Sequence, residues 1–401
     1  MAMKILLLSN RIPYPPHDGG AIAIYNMIEG LKSTGWDVHL FSLNTRKHFF
    51  NPEEVPSQWL TQEKLTTVYA DTNVKPLPAF FNLFGRKSYN ISRFYTREAE
   101  EHLAGLLKKE KFDAIQVEGI FMTPYLSLIR KHSNAPVILR AHNVEYMIWE
   151  RMAKGAFFPK NWYLQLLARR LKKYEKNHFP EFDAIAAITP EDAERISSIA
   201  PESKVFHLPA GIDLAAFSSQ NTEKEEPGCI FHLGALDWMP NQEGVTWFIE
   251  KVWPFITQKM PGTKFYIAGR HIPGSFYKYE NDQISVLGEI PNAAEFMSQK
   301  GIMVVPLLSG SGMRIKIIEG MALSKAIVST NIGAEGIDCR HGENILISDK
   351  PYEFAQNVLS LLKDPDLKYR ISRNARKKAE EKYSKEAVAN TLTAFYKREL
   401  L

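Results

Sequence analysis

In the stretch "SGSGMRIKIIEGMALSKAIVST", residues 309–330, two glycines, two cations and a carboxylate stand between apolar runs. The preceding "GIMVVPLL" has the length and composition of a buried parallel strand. Gly310, Ser311, Gly312 and Met313 form a loop whose amides can wrap an anion, and Arg314 and Lys316 begin a helix expected over 313–323. Cations are unfavourable beside a helix N-terminus unless an anion is shared there, and a diphosphate removes the conflict. Glu319, three residues beyond Lys316, falls on nearly the same helical face. A carboxylate one turn past a phosphate site is placed to accept hydrogen bonds from a ribose diol.

Two earlier loops carry weaker signals. After the first apolar run, "KILLLS", Gly19 and Gly20 open a helix, where backbone amides uncovered by side chains favour an anion. The spacing is not G-x-G-x-x-G and no acid follows a second strand at the usual distance, so a nicotinamide dinucleotide is disfavoured. Glycines serving turn geometry alone are the competing reading. In "LRAHNVEY", His142 ends an apolar strand and precedes a helix, where an imidazole can bond a sugar hydroxyl or stabilise developing positive charge. Asn143 is its neighbour, and Glu145, in the first helical turn, reads as a capping-type carboxylate.

Positioning these residues requires strands that deliver loops to one edge. A chain of 401 residues implies two domains. Strand-length runs alternate with helical patterns in both halves, which argues for βαβ units and parallel sheets covered on both faces. The rhythm breaks at 211–228, "GIDLAAFSSQNTEKEEPG", which is polar, charged and without apolar period. The expected fold class is therefore α/β, two doubly wound Rossmann-like domains facing a cleft: 1–210, a linker at 211–228, and 229–383. A last amphipathic helix spans 384–401. Long helical patterns are expected at 145–178 and 241–259. Ligands of open α/β sheets sit at the carboxyl ends of the strands, so the loops named above are where function belongs.

Composition narrows the class. Hydrophobic residues at 45%, charged residues at 24% and a formal net charge of +5 describe an ordinary globular enzyme and give no clustered basic face for nucleic acid. Two cysteines, Cys229 and Cys339, form neither a metal spacing nor a disulfide framework. No run reaches the roughly 18 apolar residues of a transmembrane helix, and a cytoplasmic protein is expected. Asp364 and Asp366 in "KDPDLK" read as a turn between helices, so no metal is expected.

Taken with "PAGID" at 209–213 and "GSGMRIKIIEGMALSKAIVSTNIGAEGI", the chain resembles, over essentially its whole length, the retaining glycosyltransferases of the GT-B fold, most of all glycosyltransferase family 4. The resemblance implies a nucleotide-sugar donor held mainly by the second domain and a carbohydrate or lipid-linked acceptor held mainly by the first. It also implies a C-terminal helix crossing back to the N-terminal domain. Donor binding then falls to Gly20, Gly310, Ser311, Gly312, Met313 and Glu319, with His142, Arg314 and Lys316 as the catalytic set. Gly19, Glu118 and Asn143 are the remaining acceptor-side candidates. No cofactor is implied. Two positions depart from the family pattern: Ser311 stands where its first glutamate usually is, and Ala235 in "GALDWMPNQEG" replaces a loop that often carries an Arg and a Lys. Arg314 and Lys316 are expected to supply that charge. The role implied is polysaccharide or glycolipid synthesis at the cell envelope. Two other classes share these features: a sugar-nucleotide epimerase using Glu118 and His142 as acid and base, and a non-catalytic homologue acting as a partner protein. Helix 160–178 combines Trp162, Tyr163 and leucines with Arg169, Arg170, Lys172, Lys173 and Lys176. Such a helix can lie on an anionic membrane or serve as cover for a sheet.

Overall fold

The computed structural model describes residues 2–73, 82, 88–217, 225–310 and 312–400. The chain divides into two compact units. The first comprises Met1–Gly211 and Val388–Leu401, the second Ile212–Ala387.

In the first unit seven parallel strands stand in the order β3-β2-β1-β4-β5-β6-β7. They are β1 Lys4–Ser9, β2 Asp37–Thr45, β3 Leu65–Ala70, β4 Ala114–Glu118, β5 Val137–Ala141, β6 Ala184–Ala187 and β7 Val205–His207. Apolar residues fill successive positions because both faces are covered. Leu6 and Leu8 pack with Phe41, Leu103 and Ile129 on one side. Ile5 and Leu7 pack with Ile24, Met27 and Leu392 on the other. The C-terminal helix, Lys385–Glu399, lies against the second face. The Trp36 indole donates to Thr393 Oγ1 at 2.8 Å, and Phe206 stacks on Phe395 at 3.9 Å between ring centres.

The second unit repeats the plan with six parallel strands in the order β10-β9-β8-β11-β12-β13. These are β8 Cys229–Leu233, β9 Lys264–Ala268, β10 Ile284–Gly288, β11 Ile302–Val305, β12 Ala326–Ser329 and β13 Leu346–Ile347. Alternation again splits the core: Ile230, Phe265 and Val304 face one side, and Phe231, Met303 and Ile327 the other.

The helices depart from expectation where glycine, proline or loop geometry intervenes. The pattern over 145–178 is two helices, Glu145–Lys154 and Lys160–His178, because Gly155 caps the first and Pro159 precedes the second. The pattern over 241–259 is broken by a π-turn, Phe248–Val252; Pro254 just beyond it has no N–H to give to a carbonyl four residues back. The helix expected over 313–323 runs Ile315–Ala322, so Arg314 is its N-cap and not its first turn. Asp364 is a cap, as its turn-like setting implies: its carboxylate accepts from the Leu367 amide at 2.9 Å. Of the stretch read as a linker, 218–224 lies outside the described residues, and Ile212 bridges to Ser384 within the second unit.

Candidate active site

The strand ends of the first unit assemble a buried charge network. Gln116 and Glu118 are two apart on β4 and share a face, and Glu118 stands opposite Arg140 of β5 in the register. All three are fully buried. Glu118 Oε1 accepts from Gln116 Nε2 at 2.5 Å, and Glu118 Oε2 lies 3.6 Å from Arg140 Nη1. His142, one residue past β5, places Nε2 2.6 Å from Glu118 Oε2. Burial pushes the Glu118 carboxyl up, but Arg140, His142 and Gln116 outweigh it and hold the group below its ordinary value. An ionised carboxylate only accepts, so His142 Nε2 carries the hydrogen and Nδ1 is left as the ring's other polar atom. The Arg140 guanidinium also donates to the carbonyls of Ala23, at 3.1 Å, and Pro209, at 3.4 Å.

His142 keeps 16% of its side chain exposed, whereas Glu118 has none. Glu118 therefore orients the imidazole from behind and has no exposed surface of its own, unlike the cleft-facing acid or base it was read as. Asn143 lies beside Glu145, whose carboxyl burial pushes up to about 7 against the hydrogen bond from Asn143. The capping-type role read for Glu145 belongs to another residue. Glu175, buried on helix Lys160–His178, accepts from the amides of Glu145, at 2.8 Å, and Tyr146, at 3.2 Å.

The glycine loop after β1 has an occupant of its own. Asp18 is the N-cap of helix Gly19–Ser33, and its Oδ1 accepts from the amides of Gly20 and Ala21 at 3.0 and 3.1 Å. Arg11 Nη1 pairs with Asp18 Oδ2 at 2.6 Å. A Cβ on Gly20 would sit 2.2 Å from Arg11 Nη2, so the small residue leaves room for that guanidinium. The reading of bare amides at Gly19 and Gly20 is thus corrected: a carboxylate of the chain already fills the anion's place.

In the second unit the loop after β11 packs on the loop after β8. The Arg314 guanidinium lies over the Trp238 ring, 5.2 Å from its centre, and Nη1 donates to the Gly312 carbonyl at 2.6 Å. Gly310 adopts φ +118°, and a Cβ there would meet both Arg314 Nη2, at 2.8 Å, and Trp238 Cη2, at 2.9 Å. Ser309 Oγ donates to Glu243 Oε2 at 3.0 Å. Met313 is partly buried against the second unit's core, and Ser311 lies outside the described residues. Lys316 and Glu319 pair with each other, Nζ to Oε2 at 2.8 Å, the carboxylate buried and the ammonium half exposed. The helix thus joins two groups that the sequence reading gave to different parts of a ligand. Among the described residues no group of three His, Cys, Asp or Glu side chains is gathered as metal ligands are.

Two family models cover most of the chain: "Glycosyltransferase Family 4" matches residues 17–216 and "Glycosyl transferases group 1" matches 227–364. The chain belongs to this family of glycosyltransferases. Its structure is similar to that of sucrose-phosphate synthase from Thermosynechococcus elongatus (TM-score 0.71, 16% identity, 99% of this chain and 98% of that one). It is also similar to Anabaena HepE solved with UDP (0.67, 13%, 98% and 100%) and to TarM (0.67, 11%, 99% and 99%). The two parallel-sheet units are those of the GT-B fold. A Klebsiella pneumoniae relative is 25% identical over 97% of this chain and 98% of its own length, and is described as an uncharacterized protein in the cps region.

Within this glycosyltransferase, the loop that holds Ala235 receives Arg314, seated over Trp238 three residues further on. Trp238, Gln116, Arg140 and Glu175 were missed by the sequence reading. Gln116 and Arg140 left a signal: Arg140 is the one polar residue of its buried strand, and Gln116 shares its own buried strand with no polar residue but Glu118. Glu175 left none, since a glutamate in a lysine-rich helix reads as solvated.

Proposed function

We propose that this glycosyltransferase moves a sugar from a nucleoside-diphosphate donor to a hydroxyl of a carbohydrate or lipid-linked acceptor, with retention at the anomeric carbon. The observation that carries the reading is Arg314 held over Trp238 at the mouth of the glycine loop, beside the Lys316–Glu319 pair. In this reading the loop amides at Gly310 and Gly312, with Arg314 and Lys316, take the diphosphate. Glu319 takes the ribose diol, released from Lys316 as the ammonium turns to the phosphates.

The step balances without an added group. The bond from the anomeric carbon to the β-phosphate oxygen breaks as the acceptor oxygen bonds to that carbon on the same face. The acceptor's proton passes to the leaving phosphate oxygen. Cations and amides fixed in place stabilise the charge that grows on that oxygen, the largest electrostatic contribution available here. His142, oriented by Glu118, bonds a sugar hydroxyl. No metal or cofactor takes part. An epimerase would need an exposed acid and base, and the burial of Glu118 removes one of its two candidates.

HepE has been solved with UDP and with UDP-glucose, which makes UDP the first probe among nucleoside diphosphates. The cps-region relative supports a role in polysaccharide synthesis. Calorimetry with UDP, GDP and ADP should find one that binds, with Arg314→Ala and Glu319→Ala each weakening it by about tenfold or more. If neither substitution weakens binding, the donor-site assignment is wrong. An inverted linkage in product NMR would overturn retention.

A further inference from the structure

The segment between helices Glu145–Lys154 and Lys160–His178 puts bare aromatics on the surface of the first unit: Phe157 is 91% exposed, Phe158 81%, and Trp162, in the next turn, 56%. Nothing else among the described residues exposes three large aromatic rings within six positions. Helix Lys160–His178 buries Leu164, Leu167, Ala168, Leu171 and Glu175. Its outer stripe reads Trp162, Arg169, Lys172, Lys173 and Lys176, and the last four, at i, i+3, i+4 and i+7, form one face. All four cations are exposed, and the helix's one acid, Glu175, is buried. The carboxylates flanking the segment are engaged or withdrawn: Glu181 pairs with His178 at 2.8 Å, and Glu150 is half-buried. The stripe therefore runs from an aromatic end to a cationic shaft over about 21 Å, at 1.5 Å per residue.

A helix covering a sheet needs long cations outside but gains nothing from three exposed rings at its N-terminal end; water pays for none of that apolar area. We propose that this face docks on an anionic lipid bilayer. Phe157, Phe158 and Trp162 enter the headgroup–acyl boundary, and Arg169, Lys172, Lys173 and Lys176 lie along the phosphates. The two halves do different work. The rings bind any lipid surface weakly, whereas the cations select a negatively charged one and make the attachment sensitive to salt. A cavity of about 510 Å³ beside the stripe, lined in part by Ser88, Ser92, Lys173 and Asn177, gives a headgroup polar partners at the same surface, while Arg170 is held by Asn82 and His178 by Glu181. Among the described residues no helix is long and apolar enough to cross a membrane, so this contact is peripheral. It does not depend on the transfer reaction proposed above, and its test reads no activity.

Flotation of the full chain with vesicles decides it, comparing phosphatidylcholine containing phosphatidylglycerol with phosphatidylcholine alone. The wild type should float with the anionic vesicles and be released at about 0.5 M salt, where the screening length falls to a few ångströms. Each cation near the surface is worth about fivefold in partitioning. Arg169→Ala with Lys173→Ala should then cut anionic binding by about 25-fold and leave neutral binding unchanged. Phe157→Ser with Phe158→Ser should reduce binding to both vesicle types. Unchanged melting temperatures would show that the variants fold. Equal wild-type binding to both vesicle types overturns the proposal, as does none to either. So does a change of oligomeric state in the phenylalanine variant with vesicle binding intact, which would assign the rings to a second copy of the chain.

Discussion

Replacing Glu118 by glutamine keeps the shape and removes one charge from a fully buried network. Arg140 would remain, with no exposed surface and only neutral acceptors: the carbonyls of Ala23 and Pro209, at 3.1 and 3.4 Å, and the new carboxamide oxygen. Breaking a buried ion pair from one side costs about 3–5 kcal/mol, because the surviving charge is left uncompensated. The first unit holds about 225 residues, 211 in its main segment and 14 at the C-terminus. At about 2.1 cal/mol/K per residue its unfolding entropy is about 0.5 kcal/mol/K, so the loss predicts a fall of about 6–11 °C in its melting temperature. Scanning calorimetry at neutral pH measures this.

The same substitution changes the acid limb of stability. The Glu118 carboxyl is held below its ordinary value in the folded protein, with Arg140 the main charge opposing its burial. Its contribution is therefore present above the unfolded carboxylate pKa, about 4.3, and is lost as pH falls through the lower folded value. Glu118→Gln should flatten that limb as well as lower the plateau. Arg140→Met combined with Glu118→Met, which removes both charges, should recover most of the loss. His142→Ala should cost only about 1–2 kcal/mol, since Arg140 and Gln116 still serve the carboxylate, yet abolish transfer. A drop below about 2 °C for Glu118→Gln would refute the argument, because it would mean that neutral acceptors suffice for a buried guanidinium.

Two further outcomes follow from single side chains. Burial pushes the Glu175 carboxyl up to about 8 against the two amides it caps. A raised carboxyl favours folding below the unfolded pKa and loses that advantage as pH climbs through the folded value, so stability of the first unit should fall between about pH 5 and 8. Glu175→Gln should remove much of this slope in melting curves taken across that range. Gly310→Ala would place a Cβ against Arg314 and Trp238 at φ +118°. A loss of about 1–3 kcal/mol in the second unit, with nucleotide affinity reduced in calorimetry, is expected.

The residues that the sequence made legible and those it hid differ in the distance over which their partners act. The central strands were readable because a parallel strand buried on both faces is a local pattern: "KILLLS" and "GIMVVPLL" declare themselves without reference to anything else. Helix ends were less so, since Gly155 and Pro159 split one apolar period into two and a π-turn before Pro254 interrupted another. The candidate site could be proposed from residue types, but the partners of those residues were hidden. Glu118 and His142 are 24 positions apart, Glu175 caps amides 30 positions away, and Trp238 meets Arg314 across 76, all through strand order or loop packing that no spacing encodes. Where a charge looked oddly placed, as with cations at a helix start, the oddity was a better guide than the element assigned to it. Arg314 proved to be outside the helix, yet its position over Trp238 keeps it at the glycine loop. The physical conflict that singled it out, a cation needing an anion at a glycine loop, survives the change of element and becomes sharper. A guanidinium stacked on an indole has lost part of its freedom before any ligand arrives, so less ordering remains to be done on binding.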